Sequence, residues 1–144
     1  YMNKKYIPNN LTNKNKIKQK KNILKSIRLY KHHTYYNRKP LNSFKSRRSK
    51  HFNNVKKIYG INKLIINNNL SNKTGCSKKI LKKIVNKGMG AYYSSGSRPN
   101  QTSKSWGIAR LASAITGGPT SKIDFHLLKH CNKTKKAYKL ALNK

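Results

Sequence analysis

Residues 94–102 read SSGSRPNQT, a run of hydroxyls and amides around one guanidinium. Ser95, Ser97 and Asn100 bring short hydrogen-bonding groups, Gly96 loosens the backbone between them, and Arg98 supplies a planar, permanently charged fork. Successive backbone N–H groups in turn conformations make anion-binding nests, and an arginine adds a charge-assisted bond to a phosphate oxygen. These residue types therefore suit anion binding, with Arg110 expected as a second cation beside Arg98. A structural loop whose side chains satisfy its own backbone uses the same residues. The spacing is not that of a P-loop, because GxxxxGKS/T is absent.

Groups that would perform catalysis are scarce. Asp124 is the only carboxylate side chain, which nearly excludes a metal-dependent nuclease and leaves no partner for general acid–base work. A structural role is expected for it instead. Either Ser121 and Asp124 form a capping box, or Asp124 pairs with Arg98 or Arg110. His126, His130 and Cys131 lie close enough to invite a metal reading, but no second Cys or His pair accompanies them. Cys76 and Cys131 have no CxxC spacing, and whether they pair is left open. Nothing positions a tyrosine as a nucleophile. The chain is thus expected not to be an enzyme, with no cofactor, no metal and no small-molecule substrate.

Charge points more directly to a partner. Against that one acid stand 35 Lys and Arg, for a formal net charge of +34 over 144 residues. A compact chain of one sign repels itself until a polyanion neutralises it, so nucleic acid is the expected partner. An anionic membrane surface is the lesser choice. Only six of the cations are Arg, which favours diffuse phosphate neutralisation with weak sequence preference over bidentate base reading. Residues 1–57 hold 18 of the cations and residues 88–144 hold ten. The segment 31–52 also interleaves rings with cations, among them Tyr35, Tyr36, Arg38, Phe44, Arg47 and Arg48. Single-strand binders use that mixture, and so does a disordered arm that orders on its partner.

The length suits one modest domain. Residues 1–57 are expected to form a basic, largely extended or disordered arm, and 58–144 a small globular domain with its motif core at 88–131. Within the arm, 16–30 has a narrow apolar stripe of Ile23, Leu24, Ile27 and Tyr30 that predicts a short helix. Short strands are expected at Leu64–Ile66 and Tyr92–Tyr93, ended in the first case by Asn67. A helix capped by Ser77 should bury Ile80, Leu81, Ile84 and Val85, point Lys78, Lys79, Lys82 and Lys83 outward, and close at Gly88. A second should run over 106–116 from a cap at Ser103 or Ser105. There Trp106 is a core anchor, Ile108, Leu111, Ala112 and Ile115 form the buried stripe, and Gly117, Gly118 and Pro119 end the helix. A last helix should bury Ala137, Leu140 and Ala141. The fold class is α+β or mainly α: a small helical domain with one or two short strands and an extended basic N-terminal arm. Tyr1 ahead of Met2 fits a chain beginning just before an initiator or a piece of a longer protein.

The run GAYYSSGSRPNQTSKSWGIARLASAITGGPTSKID resembles a small domain in basic proteins of nucleocytoplasmic large DNA viruses, which infect algae and amoebae. Its YYSSGSRPNQT, SWG, ARLAS and TGG elements carry the likeness over about residues 88–131, and Ile123 before Asp124 is a mild departure from the pattern. No catalytic residues come with the resemblance. It implies a setting in the virion, as a structural protein in contact with packaged DNA or the inner capsid and membrane face, docked on other virion or capsid proteins. The alternative from composition is a ribosomal protein, organellar for example, that binds ribosomal RNA through a basic extension.

Overall fold

The computed structural model describes residues 3–45 and 49–142. The protein is mainly helical, and among the described residues there is no strand. A 3₁₀ turn at Lys4–Tyr6 precedes α1 (Asn13–Tyr30), α2 (Lys50–Tyr59), α3 (Asn68–Thr74), α4 (Lys78–Ser94), α5 (Ser103–Ile115), α6 (Pro119–Ile123), α7 (Phe125–Leu128) and α8 (Lys136–Leu142). With a single acid in the chain, helix N-termini have to be capped by neutral oxygens. Thr12, Ser49 and Asn67 accept from the backbone N–H of Asn15, His51 and Leu70. Ser77 accepts from Ile80 N at 3.2 Å, as expected. At α5 the cap is Thr102: its Oγ1 accepts from Ser105 N at 3.0 Å while its own N–H donates to Ser105 Oγ at 2.9 Å. That is a reciprocal capping box.

The chain divides into two compact units, Tyr1–Arg47 with Met89–Trp106, and Arg48–Gly88 with Gly107–Lys144. This division differs from the one expected at residue 57, and residues 13–30 and 50–59 of the expected extended arm are helical. In the first unit α1 runs for 18 residues and buries Gln19, Ile23 and Ser26. Leu24, placed in the stripe by periodicity, is 50% exposed. The helix is stable because a surface is available for its buried side chains: Gln19 Nε2 donates to Tyr6 O and Ser97 O, and Ser26 Oγ donates to Tyr93 O. A short amphipathic helix needs such a partner.

The second unit gathers Val55, Leu70, Leu81, Ile84, Val85, Leu111, Ala112, Ile115, Leu128, Ala137 and Ala141 into its core. The expected faces of α4, α5 and α8 are present, with Ile80, Ile108 and Leu140 only half-buried. Val55 to Tyr59 belong to helix α2, which Gly60 closes at φ 66°, and Leu64–Ile66 has no regular structure. Asn67 begins α3 and does not end a strand. Cys76 and Cys131 form a disulfide with a Cα–Cα distance of 4.4 Å, and beside it Asn132 N donates to Gly75 O at 2.7 Å. Gly117, at φ 74°, ends α5 as expected, and Gly118 caps α6 with Pro119 in its first turn. Among the described residues no helix is long and apolar enough to cross a membrane.

The helix expected to stop at Gly88 continues to Ser94, and Tyr92–Tyr93 lies in it. Gly88 is not a terminator. A Cβ built there would sit 2.6 Å from Gly107 Cα, so the glycine pair sets how closely α4 and α5 approach. Gly90 lies in the same helix, but a Cβ there would meet nothing nearer than Tyr30 Oη at 3.8 Å. The two positions should therefore respond oppositely to alanine. Gly88→Ala is expected to destabilise by about 1–2 kcal/mol, because overpacking against backbone outweighs the helix-propensity gain. Gly90→Ala should stabilise by up to about 1 kcal/mol. Urea midpoints measured on both variants check this, and shifts of the same sign would contradict it.

Candidate nucleic-acid interface

The SSGSRPN loop closes the first unit through hydrogen bonds to the N-terminal segment. Arg38 is buried, and its Nη1 donates to Ser26 Oγ at 3.0 Å and Tyr92 O at 2.8 Å. Its Nη2 donates to Ser97 Oγ at 2.9 Å, and the guanidinium lies 3.8 Å from the Tyr92 ring centroid. Burial lowers the Arg38 pKa, opposed by the surrounding tyrosines. Asn100 sits at φ 64°; its Oδ1 accepts from Leu41 N at 2.6 Å and its Nδ2 donates to Phe44 O at 2.8 Å.

These contacts take up several of the residues expected to bind phosphate. Arg38, Ser97 and Asn100 are committed to internal partners, because a buried guanidinium or amide is tolerated only when its donors are satisfied. Ser95 and Arg98 remain exposed. Arg47 and Arg48 lie outside the described residues. Trp106 is half-buried, edge-on to Tyr6 at 6.1 Å. On the surface of the same unit, the rings of Tyr30, Tyr35 and Tyr93 contact one another at centroid distances of 5.0–6.2 Å. Lys25 Nζ stands 4.5 Å over the Tyr36 ring.

In the second unit the expected cation Arg110 is instead one side of an ion pair. Its Nε and Nη2 each donate to Asp124 at 2.9 Å, and Lys87 Nζ lies 3.1 Å from the same carboxylate. The pairing of Asp124 with Arg110 is one of the two structural roles expected for the acid. The capping box is not formed: Ser121 lies within α6, its hydroxyl donates to Gly118 O, and Asp124 makes no side-chain cap. Lys87, missed as a partner, also lies 3.2 Å from His126 Nε2. Cys131 is consumed by the disulfide, which removes it from any ligand set with His126 and His130. Lys78, Lys79, Lys82 and Lys83 are exposed along α4, where residues four apart rise by about 6 Å. They form a row of like charge whose mutual repulsion an anionic partner would relieve.

A family model described as "Family of unknown function (DUF5824)" matches residues 3–137. The chain belongs to that family. The DUF5824 match begins at residue 3, so the N-terminal segment lies within the family region, in keeping with its packing in the first unit. No curated protein and no solved structure matches the chain.

Asp124 is fully buried, a cost that raises its pKa, but the hydrogen bonds and charges of Arg110 and Lys87 outweigh it and hold the carboxyl below its usual value. A depressed folded-state pKa contributes stability that is present above the unfolded value, about 3.9, and is lost as pH falls through the folded one. Asp124 is the chain's one acidic side chain, so it carries this acid-range link between protonation and folding. Asp124→Asn is expected to cost about 3–5 kcal/mol at neutral pH and to flatten stability between about pH 5 and pH 2. Urea unfolding across that range is the measurement. An acid-dependent loss in the variant as large as in the wild type would refute the assignment.

Proposed function

We propose that the protein is a non-enzymatic structural protein of a large DNA virus that binds packaged DNA in the virion and docks on neighbouring virion proteins. The observation that carries the polyanion reading is the burial of Asp124 between Arg110 and Lys87. The chain's single acidic side chain is withdrawn from solvent, so Lys87 is the one exposed cation among the described residues that it offsets. Phosphate neutralisation needs only such a surface, and it is indifferent to base sequence. The lysine row of α4 and the exposed Arg98 support the reading, and the preponderance of Lys over Arg favours backbone contacts. The viral setting is supported by the resemblance of residues 88–131.

Binding to duplex DNA of two unrelated sequences, measured across a salt series, tests this. The expected result is a linear fall of log K with log salt, amounting to at least about 10³ between roughly 50 and 200 mM, with nearly equal affinity for the two sequences. A change below about tenfold over that range, or a strong preference for one sequence, would contradict it. For the setting, the protein should be recovered with purified virions. Recovery with ribosomal RNA instead would place it on the ribosome.

A further inference from the structure

The polyanion reading does not distinguish duplex from single strand, and the tyrosine cluster of the first unit does. Tyr35 is 64% exposed, yet its ring is held on two others: Tyr93 at 5.0 Å and Tyr30 at 6.0 Å. Tyr30 and Tyr93 are themselves nearly parallel, with 6° between their planes. Tyr93 is fixed in turn. Its hydroxyl donates to Asn37 Oδ1 at 3.0 Å, and its ring meets Tyr92 edge-on at 5.0 Å. Tyr92 is buried, packed under Arg38, and its hydroxyl accepts from Arg38 N at 3.0 Å.

A single exposed ring needs no explanation. This one is the outermost of a series of rings anchored in the unit's interior, so its position is set before anything binds. Preorganisation of that kind removes much of the ordering cost of an added contact. The neighbours in sequence suit an anionic strand: Arg28, Lys31 and Lys39 are exposed, and Lys25 is held over the ring of Tyr36. Protein partners offer rings too, but a chain of formal net charge +34 selects a ligand that combines flat faces with a charged backbone. Unpaired bases on a phosphate chain have both, whereas a duplex hides its base faces in the stack.

We propose that Tyr35, seated on Tyr30 and Tyr93, stacks against an unpaired base, so that the first unit prefers single-stranded to double-stranded nucleic acid. The proposal rests on the polyanion reading, and its test separates the two. Fluorescence anisotropy of the full chain with a labelled oligo(dT) of about 12 nucleotides, and with a duplex of the same length, is measured for wild type, Tyr35→Ala and Tyr35→Phe. Tyr35→Ala is expected to weaken single-strand binding about 5- to 100-fold while leaving duplex affinity and the salt slope unchanged. Tyr35→Phe should bind like wild type, because stacking uses the ring and not the hydroxyl. Far-UV circular dichroism confirms that helicity is retained in both variants. If Tyr35→Ala binds single strands like wild type, or loses both ligands equally, the stacking assignment is overturned while steep salt dependence on duplex keeps the polyanion reading. If the wild type binds neither ligand, both fall.

Discussion

One buried carboxylate faces two cations in a chain that has 34 more positive than negative side-chain charges. That imbalance constrains the rest of the structure. Taking Asp124 out of water is costly unless its charge is paired and its oxygens are hydrogen-bonded. Arg110 answers with two parallel bonds and Lys87 with a third contact. The ion cluster fastens α4, α5 and the turn between α6 and α7 inside the second unit. The same arrangement removes the only negative side chain from the exterior, so stability inside the unit and charge outside it follow from one residue.

The shortage of acids also shapes local structure. Helices usually place Asp or Glu in the first turn to complement the macrodipole, and none of the helices here does so. Thr12, Ser49, Asn67, Ser77 and Thr102 carry the capping instead. Much of the neutral polar composition therefore has defined work. The disulfide between Cys76 and Cys131 adds a cross-link that does not depend on charge. Closing a loop of 55 residues stabilises by about 4 kcal/mol in the chain-entropy account, useful in a unit whose surface repels itself.

Features encoded locally were legible in the sequence, and those depending on distant partners were not. Ser77 as a cap, the apolar face of α4, the Gly117 terminus of α5 and the inward alanines of α8 are set by residues within a turn or two. Arg38 is different. Its partners Ser26, Tyr92 and Ser97 are 12, 54 and 59 residues away, so nothing near it in sequence reveals that its guanidinium donates to the interior of the unit. The same holds for Asn100, and its positive φ was a clue only the backbone gives. Gly88 reads as a terminator because a glycine that lets two helices meet and a glycine that ends one look alike in sequence. The short strands failed because two- and three-residue apolar clusters cannot by themselves distinguish a strand from a turn of helix.

We propose that the folded chain is electrostatically incomplete until an anion neutralises it. Thermal unfolding measured at about 0.01 M and about 0.15 M salt, where the screening length falls from roughly 30 to 8 Å, tests that claim without assuming which nucleic acid binds. Self-repulsion predicts that the midpoint rises with salt, and that a polyanion such as heparin added at the lower salt raises it too. A midpoint that falls with salt, or is indifferent to both salt and polyanion, would contradict the account.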